Sequence, residues 1–271
     1  RVSVSQITIF LLYLLAAAAF TLSRLPRFEA QSRAYMIVAF VFGIFGVVLH
    51  EQQLFALILP GAGLYLSIGS AASLIGLELA AIALLASIEP TMRGMTAGML
   101  LLAAATAMLT SSSVEGAAAV AMTWQVRAHI LIALLSYGLL TVGAIVAVFA
   151  LAQERRLHSA HITSVNRLFA PLETTEKLLI AVASLGFAGL TLAIASGLSF
   201  VNDLLEQNLA HKFAFSLLAW VIFGILLAGR FVAGWRGKRA IKIYLWGFAT
   251  LCLAYFGSRV ILQEIFDKSW G

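Results

Sequence analysis

Apolar runs of roughly 20 residues recur along the chain, and a helix of that length crosses about 30 Å of hydrocarbon. Hydrophobic residues make up 62% of the 271 residues and charged residues only 11%, whereas soluble domains carry about 25% charged residues. This composition is not that of a soluble protein. The sequence therefore predicts an all-α, polytopic helical membrane protein with about eight transmembrane helices.

The apolar runs and the polar stretches between them define the expected helices. We expect a single transmembrane domain over 1–271 with helices at about 4–22, 34–51, 63–87, 93–111, 126–152, 175–200, 210–230 and 240–266. The first run is too long for a removable signal peptide. Pro90 separates the third helix from the fourth, because proline removes a helical hydrogen bond.

The distribution of Lys and Arg predicts the orientation. With both termini outside, only five of the 18 basic residues fall in outer segments, namely Arg1, Arg127, Lys212, Arg259 and Lys268. Positive residues concentrate on the cytoplasmic side of membrane proteins. We therefore expect a multi-pass membrane protein with both termini on the outer side. The net charge of +6 belongs to inter-helix loops, so it does not indicate a nucleic-acid surface.

Three histidines fall at the predicted outer ends of helices: His50, His129 and His211. Neutral imidazole can donate a nitrogen to haem iron or another metal. Arg127, Lys212 and Arg259 would then be available to pair with haem propionates, since charges at membrane depth need partners. The alternative is interfacial anchoring, in which each imidazole contacts headgroups or caps a helix.

Glu78 lies well inside the third predicted helix. An ionisable residue at membrane depth indicates a functional site by default. Glu78 would then belong to a proton or ion path of a transporter component. The alternative is structural, with a protonated carboxyl bonded to a Ser or Thr of a neighbouring helix. The sequence contains no nucleophile elbow, P-loop, dinucleotide fingerprint or paired-cysteine motif, so nothing argues for a hydrolase or an ATPase.

Several blocks in sequence order resemble the cytochrome c assembly membrane proteins of CcsA/HemX type, and most of all their YpjD-like branch. The blocks are HILIALLSYG, EKLLIAVASLGFAGLTLAIASGLSF, FSLLAWVIFGILLAGR, GWRGKRA and LAYFGSR. The resemblance covers roughly 125–265, with a more diffuse match over 45–85. It implies an eight-helix fold in a bacterial inner membrane, which makes the expected outer termini periplasmic, and haem bound at the outer face. By position, His129 corresponds to the family's first external histidine.

Two departures from the family pattern bear on activity. The tryptophan-rich WWD segment is absent, because Phe200 is followed by VNDLLEQNLAHK before Phe213. No histidine follows AYFGS, where the family has a second external one. His211 lies in the region that replaces the WWD segment and would serve as a substitute ligand. The resemblance thus implies haem binding without full synthase activity.

Two classes of function remain open at this point. In the first, the protein binds haem b through His129 with His211 or His50, as an accessory of cytochrome c biogenesis. In the second, it is a non-catalytic, HemX-like subunit or regulator that assembles with another membrane protein or with itself. The expected partners are the lipid bilayer and haem, and no nucleic acid. Neither class requires an enzyme.

Overall fold

The computed structural model describes residues 3–58, 68–90, 92–110, 123–158, 172–200 and 210–254. Eight α-helices and no strand occur within those ranges. The helices are α1 (Val4–Leu22), α2 (Ser32–Ile58), α3 (Ile68–Ala86), α4 (Arg93–Ala107), α5 (Trp124–His158), α6 (Leu172–Phe200), α7 (Ala210–Phe231) and α8 (Lys238–Cys252). A 3₁₀ helix, Pro26–Gln31, lies between α1 and α2. The predicted all-α fold with eight helices is confirmed.

Six of the helices are long and apolar enough to cross a membrane, namely α1, α2, α3, α5, α6 and α7. The apolar part of α4, Met95–Ala107, is shorter. The described part of α8 ends at Cys252, so the remainder of the expected span 240–266 lies outside the described residues. The chain is a polytopic helical membrane protein, and crossing by α4 and α8 stays a prediction.

The expected end of the second helix near residue 51 is wrong. In the structure α2 continues to Ile58, through the polar residues that follow His50. The reason is a buried stripe at helical spacing, in which His50, Leu54 and Ile58 are at most 4% exposed. The polar side chains of this stretch lie on the other faces of the helix, so they do not end it.

The chain divides into two compact units, the first formed by Arg1–Arg127 and Glu154–Leu178. Within it, α1 packs against α2, where the Tyr13 ring lies on Gly46 with its Cε1 2.8 Å from the position of an added Cβ. Leu84 of α3 occupies the equivalent space at Gly43. Small residues thus let these helices approach closely. The expectation of a single domain stays a prediction.

The second unit consists of Ala128–Gln153 and Leu179–Gly271. Here α5 and α6 pack antiparallel along small residues of α6. A Cβ at Gly186 would meet Leu140, one at Gly189 would meet Ser136, and one at Gly197 would meet His129. The partners on α5 move toward its beginning as α6 proceeds. This row of contacts sets His129 against the far end of α6.

The Tyr244 side chain joins α8 to α5. Its hydroxyl donates a 2.8 Å hydrogen bond to the Leu140 carbonyl, and its ring packs edge-on against Phe223 of α7. The hydroxyl occupies the space that a Cβ at Gly143 would need. Glycine at 143 is therefore required by the approach of Tyr244.

Gly143→Ala is expected to destabilise the protein, because the added methyl overlaps a tyrosine that is fully buried and hydrogen-bonded. Overpacking of this kind costs roughly 1–3 kcal/mol, or a Tm lowered by about 2–10 °C. Thermal denaturation in detergent measures the change. Gly98→Ala is the matched control, since nothing lies within 4 Å of its Cβ position. Equal effects of the two substitutions would contradict the packing described for Tyr244.

Candidate functional site

His129 lies in the first turns of α5 and is half-buried. Its Nδ1 is 2.8 Å from the Ser196 hydroxyl oxygen on α6. The Ser196 hydroxyl donates its own proton to α6 carbonyls, at 2.7 Å from Leu192 O and 3.1 Å from Ala193 O. With the serine proton on one of these carbonyls, the serine oxygen accepts from His129 Nδ1–H. We assign the ring proton to Nδ1 from this hydrogen-bond network.

The described residues give the His129 ring two hydrogen-bond partners, the Ser196 hydroxyl at Nδ1 and the Ala193 backbone, and no described side chain bonds to the other ring nitrogen, Nε2. With the proton on Nδ1, a neutral ring carries its lone pair on Nε2. Metal-ligating histidines have this arrangement, since a second-shell group takes the remaining N–H and fixes the tautomer. Gly197 makes room for the ring, because a Cβ there would lie 3.1 Å from its Cε1. His129 therefore has the chemistry of a ligand.

His50 differs from His129 in its surroundings. It lies inside α2 rather than at its end, and it is 1% exposed. Its Nδ1 is 3.2 Å from the Tyr13 hydroxyl of α1, and its Nε2 is 2.7 Å from the Ser73 hydroxyl of α3. Both nitrogens are thus occupied by side chains that join three helices. The arrangement matches a structural histidine.

The structure describes only part of the other expected ligands. His211 is the second residue of α7, and its side chain lies outside the described residues, as does the whole of Arg259. Lys212 is half-buried in the first turn of α7. His50 belongs to the first unit, whereas His129 and α7 belong to the second. Among the described residues, no cluster of three metal-binding side chains occurs.

Arg127 precedes His129 by two residues on α5. Its Nε is buried and has no hydrogen-bond partner among the described residues. Buried donors are normally paired, and charged ones almost always are. Two residues on a helix are about 200° apart around its axis, so Arg127 leaves α5 on nearly the opposite side from His129. Pairing of Arg127 with a propionate stays a prediction.

Glu78 lies within α3, as the sequence predicts. Both of its carboxylate oxygens are buried and have no hydrogen-bond partner among the described residues. The expected bond to a neighbouring Ser or Thr is therefore not seen in that part of the chain. A carboxyl without a partner at membrane depth is costly, so Glu78 remains the second candidate for function.

The partner residues of the two histidines were not anticipated. Ser196, Tyr13 and Ser73 fix the roles of His129 and His50, but each is a common residue inside an apolar run. The only sequence signal is the serine-glycine pair 196–197 near the end of α6, at the helical spacing that continues from Gly186 and Gly189. That pattern would have indicated a close helix approach, without naming the histidine.

A sequence model of the cytochrome C assembly protein family matches residues 7–266. The inner membrane protein YpjD of Escherichia coli K12 is 31% identical over 137 residues, which is 51% of this chain and 52% of that protein. The cytochrome c biogenesis protein CcsA of Marchantia polymorpha is 33% identical over 91 residues, covering 33% of this chain and 28% of that protein.

An uncharacterised 28.8 kDa protein of Azospirillum brasilense is 28% identical over 141 residues, 51% of each chain. No solved structure matches the chain. The chain spans about half the length of the curated relatives it matches first, whereas the family model covers nearly all of it. The chain therefore belongs to the cytochrome c assembly protein family.

Proposed function

We propose that this protein binds haem b at the outer face of a bacterial inner membrane through Nε2 of His129. It acts there as a haem-handling accessory of cytochrome c assembly, without full synthase activity. The observation that carries the proposal is the 2.8 Å contact between His129 Nδ1 and the Ser196 hydroxyl. That contact leaves the Nε2 lone pair for a metal.

The residues at this site fit a haem. Neutral imidazole with its second nitrogen hydrogen-bonded is the usual axial ligand, and bound haem would supply a redox-active iron. His211 is the proposed second ligand, since it begins a helix of the same unit. Lys212 and Arg259 are the proposed propionate partners. His50 is left out of the ligand set, because ligation through either ring nitrogen would break the hydrogen bond that this nitrogen makes.

The absence of synthase activity is supported by the sequence between α6 and α7. No tryptophan occurs between Phe200 and Phe213, where the family pattern has its WWD segment. Names of relatives support membrane and cytochrome c biogenesis roles, since they include an inner membrane protein and a cytochrome c biogenesis protein.

The main alternative is a non-catalytic membrane subunit or regulator that resembles HemX. It predicts the same fold and no pigment. A transporter component is a further candidate, favoured by the buried carboxylate of Glu78, which has no partner among the described residues. The three candidates differ in what the purified protein binds.

Haem titration of the purified protein is expected to give a Soret band that His129→Gly abolishes, because the iron loses its nitrogen ligand. Added imidazole should restore the band by filling the space left by the side chain. His50→Gln is the control, expected to bind haem and to unfold at a lower temperature. A wild-type protein that stays colourless at saturating haem would contradict the proposal and favour the subunit alternative.

Ser196→Ala is expected to keep the haem but to weaken its binding by about 10-fold, since loss of a second-shell partner typically costs 10–100-fold in metal affinity. Ser199→Ala is the matched control, because its hydroxyl is exposed and, among the described residues, bonds to Ala195 O of its own helix. The titration measures both affinities. Equal affinities in the two variants would remove Ser196 from the site.

The transporter candidate has a separate test at Glu78. A hydrophobic carbodiimide is expected to label the wild-type protein once, because a carboxyl without a countercharge inside the membrane is the form that reacts. Glu78→Gln should lose the label, and Glu51→Gln, which removes an exposed carboxyl of α2, should keep it. Mass spectrometry counts the label. An unlabelled wild-type protein would exclude Glu78 from a proton path.

A further inference from the structure

The turn between α7 and α8 has a fixed geometry built around Trp235. Its indole packs on Gly229 of α7, whose missing side chain leaves the space. The backbone N–H of Trp235 donates to the Gly229 carbonyl at 3.0 Å, and the Trp235 carbonyl accepts from Arg230 Nη1 at 3.1 Å. Gly234 and Gly237 have positive φ angles of 65° and 60°, which glycine adopts without strain. The turn is therefore an ordered element.

Basic side chains cluster on this turn. Arg236, Arg239 and Lys242 are exposed there, and residues 210–254 contain no Asp or Glu. The Arg239 guanidinium carbon lies 3.8 Å from the centre of the Trp235 ring. Stacking uses the face of a guanidinium and leaves its N–H edge available, which suits bidentate binding of phosphate. The first turn of α8 adds no acidic residue, and its N-cap, Gly237, supplies no side-chain cap.

Exposed apolar side chains adjoin these cations. Phe231 is 71% exposed and Val232 is 89% exposed. The apolar span of α7 ends at Phe231, so the cations begin where that helix leaves the hydrocarbon. An acidic protein would match the charge but not this apolar border. A phospholipid matches both, with its phosphate at the cations and its acyl chains at Phe231 and Val232.

We infer that the α7–α8 turn is a binding site for the headgroup of an anionic phospholipid. Arg239, stacked on Trp235, holds the phosphate through its N–H edge, and Arg236 and Lys242 supply further positive charge. The site is independent of haem and belongs to the second unit alone. It anchors the end of α7 against one leaflet.

Native mass spectrometry of the detergent-solubilised full chain, titrated with phosphatidylglycerol or phosphatidylcholine, tests the site. We expect tighter binding of phosphatidylglycerol, and an affinity lowered roughly 10–30-fold in Arg236→Gln/Arg239→Gln, since each basic residue near a membrane surface contributes a factor of about five. Arg27→Gln/Arg33→Gln is the matched control, because both arginines are exposed and Arg27 also lies over a ring, that of Phe28, at 5.8 Å. The control should bind as the wild type does.

Arg239→Lys separates a built site from diffuse charge. It keeps the charge and removes the planar fork, so we expect a several-fold loss of phosphatidylglycerol affinity. Full retention in Arg239→Lys, or equal losses in the two double variants, would overturn the inference. Displacement of the lipid by millimolar inorganic phosphate, or by an acidic peptide in preference to the lipid, would also overturn it. A circular dichroism spectrum and gel-filtration profile like those of the wild type confirm that each variant is folded.

Discussion

The hydrogen bond between His129 and Ser196 is the interaction on which the functional account depends. It exists because α5 and α6 approach closely along Gly186, Gly189 and Gly197, and because the serine proton is already given to α6 carbonyls. A bulkier residue at any of those glycines would separate the helices. Close packing of α5 on α6 therefore brings Ser196 to His129 Nδ1, and this contact leaves the lone pair on Nε2. The glycines of α6 thus set the chemistry of the imidazole.

The two described histidine side chains show how partners decide function. His50 has a hydroxyl at each ring nitrogen and is almost fully buried among three helices. His129 has one hydroxyl partner and is half-buried. Both occur beside apolar runs, and both were equal candidates by depth. A buried polar group with every hydrogen bond made stabilises a fold, whereas one with a free lone pair can hold a ligand.

Much of the fold could be predicted from the sequence. Apolar runs of about 20 residues have the length of membrane-spanning helices, so the all-α fold follows from them. The end of α2 was missed because Glu51, Gln52 and Gln53 look like a boundary, while the buried stripe through Leu54 and Ile58 carries the helix on. The partner of His129 lies 67 residues away, and no local pattern encodes which serine faces which histidine.

Pulsed electron paramagnetic resonance of the ferric haem complex tests the central claim most directly, with ¹⁵N introduced only in histidine. Coupling of the iron spin to a histidine nitrogen is expected. His129→Gln should lose the bound haem and, with it, this coupling, whereas His50→Gln should keep both. Haem bound with no histidine coupling, or with a coupling unchanged in His129→Gln, would contradict the account.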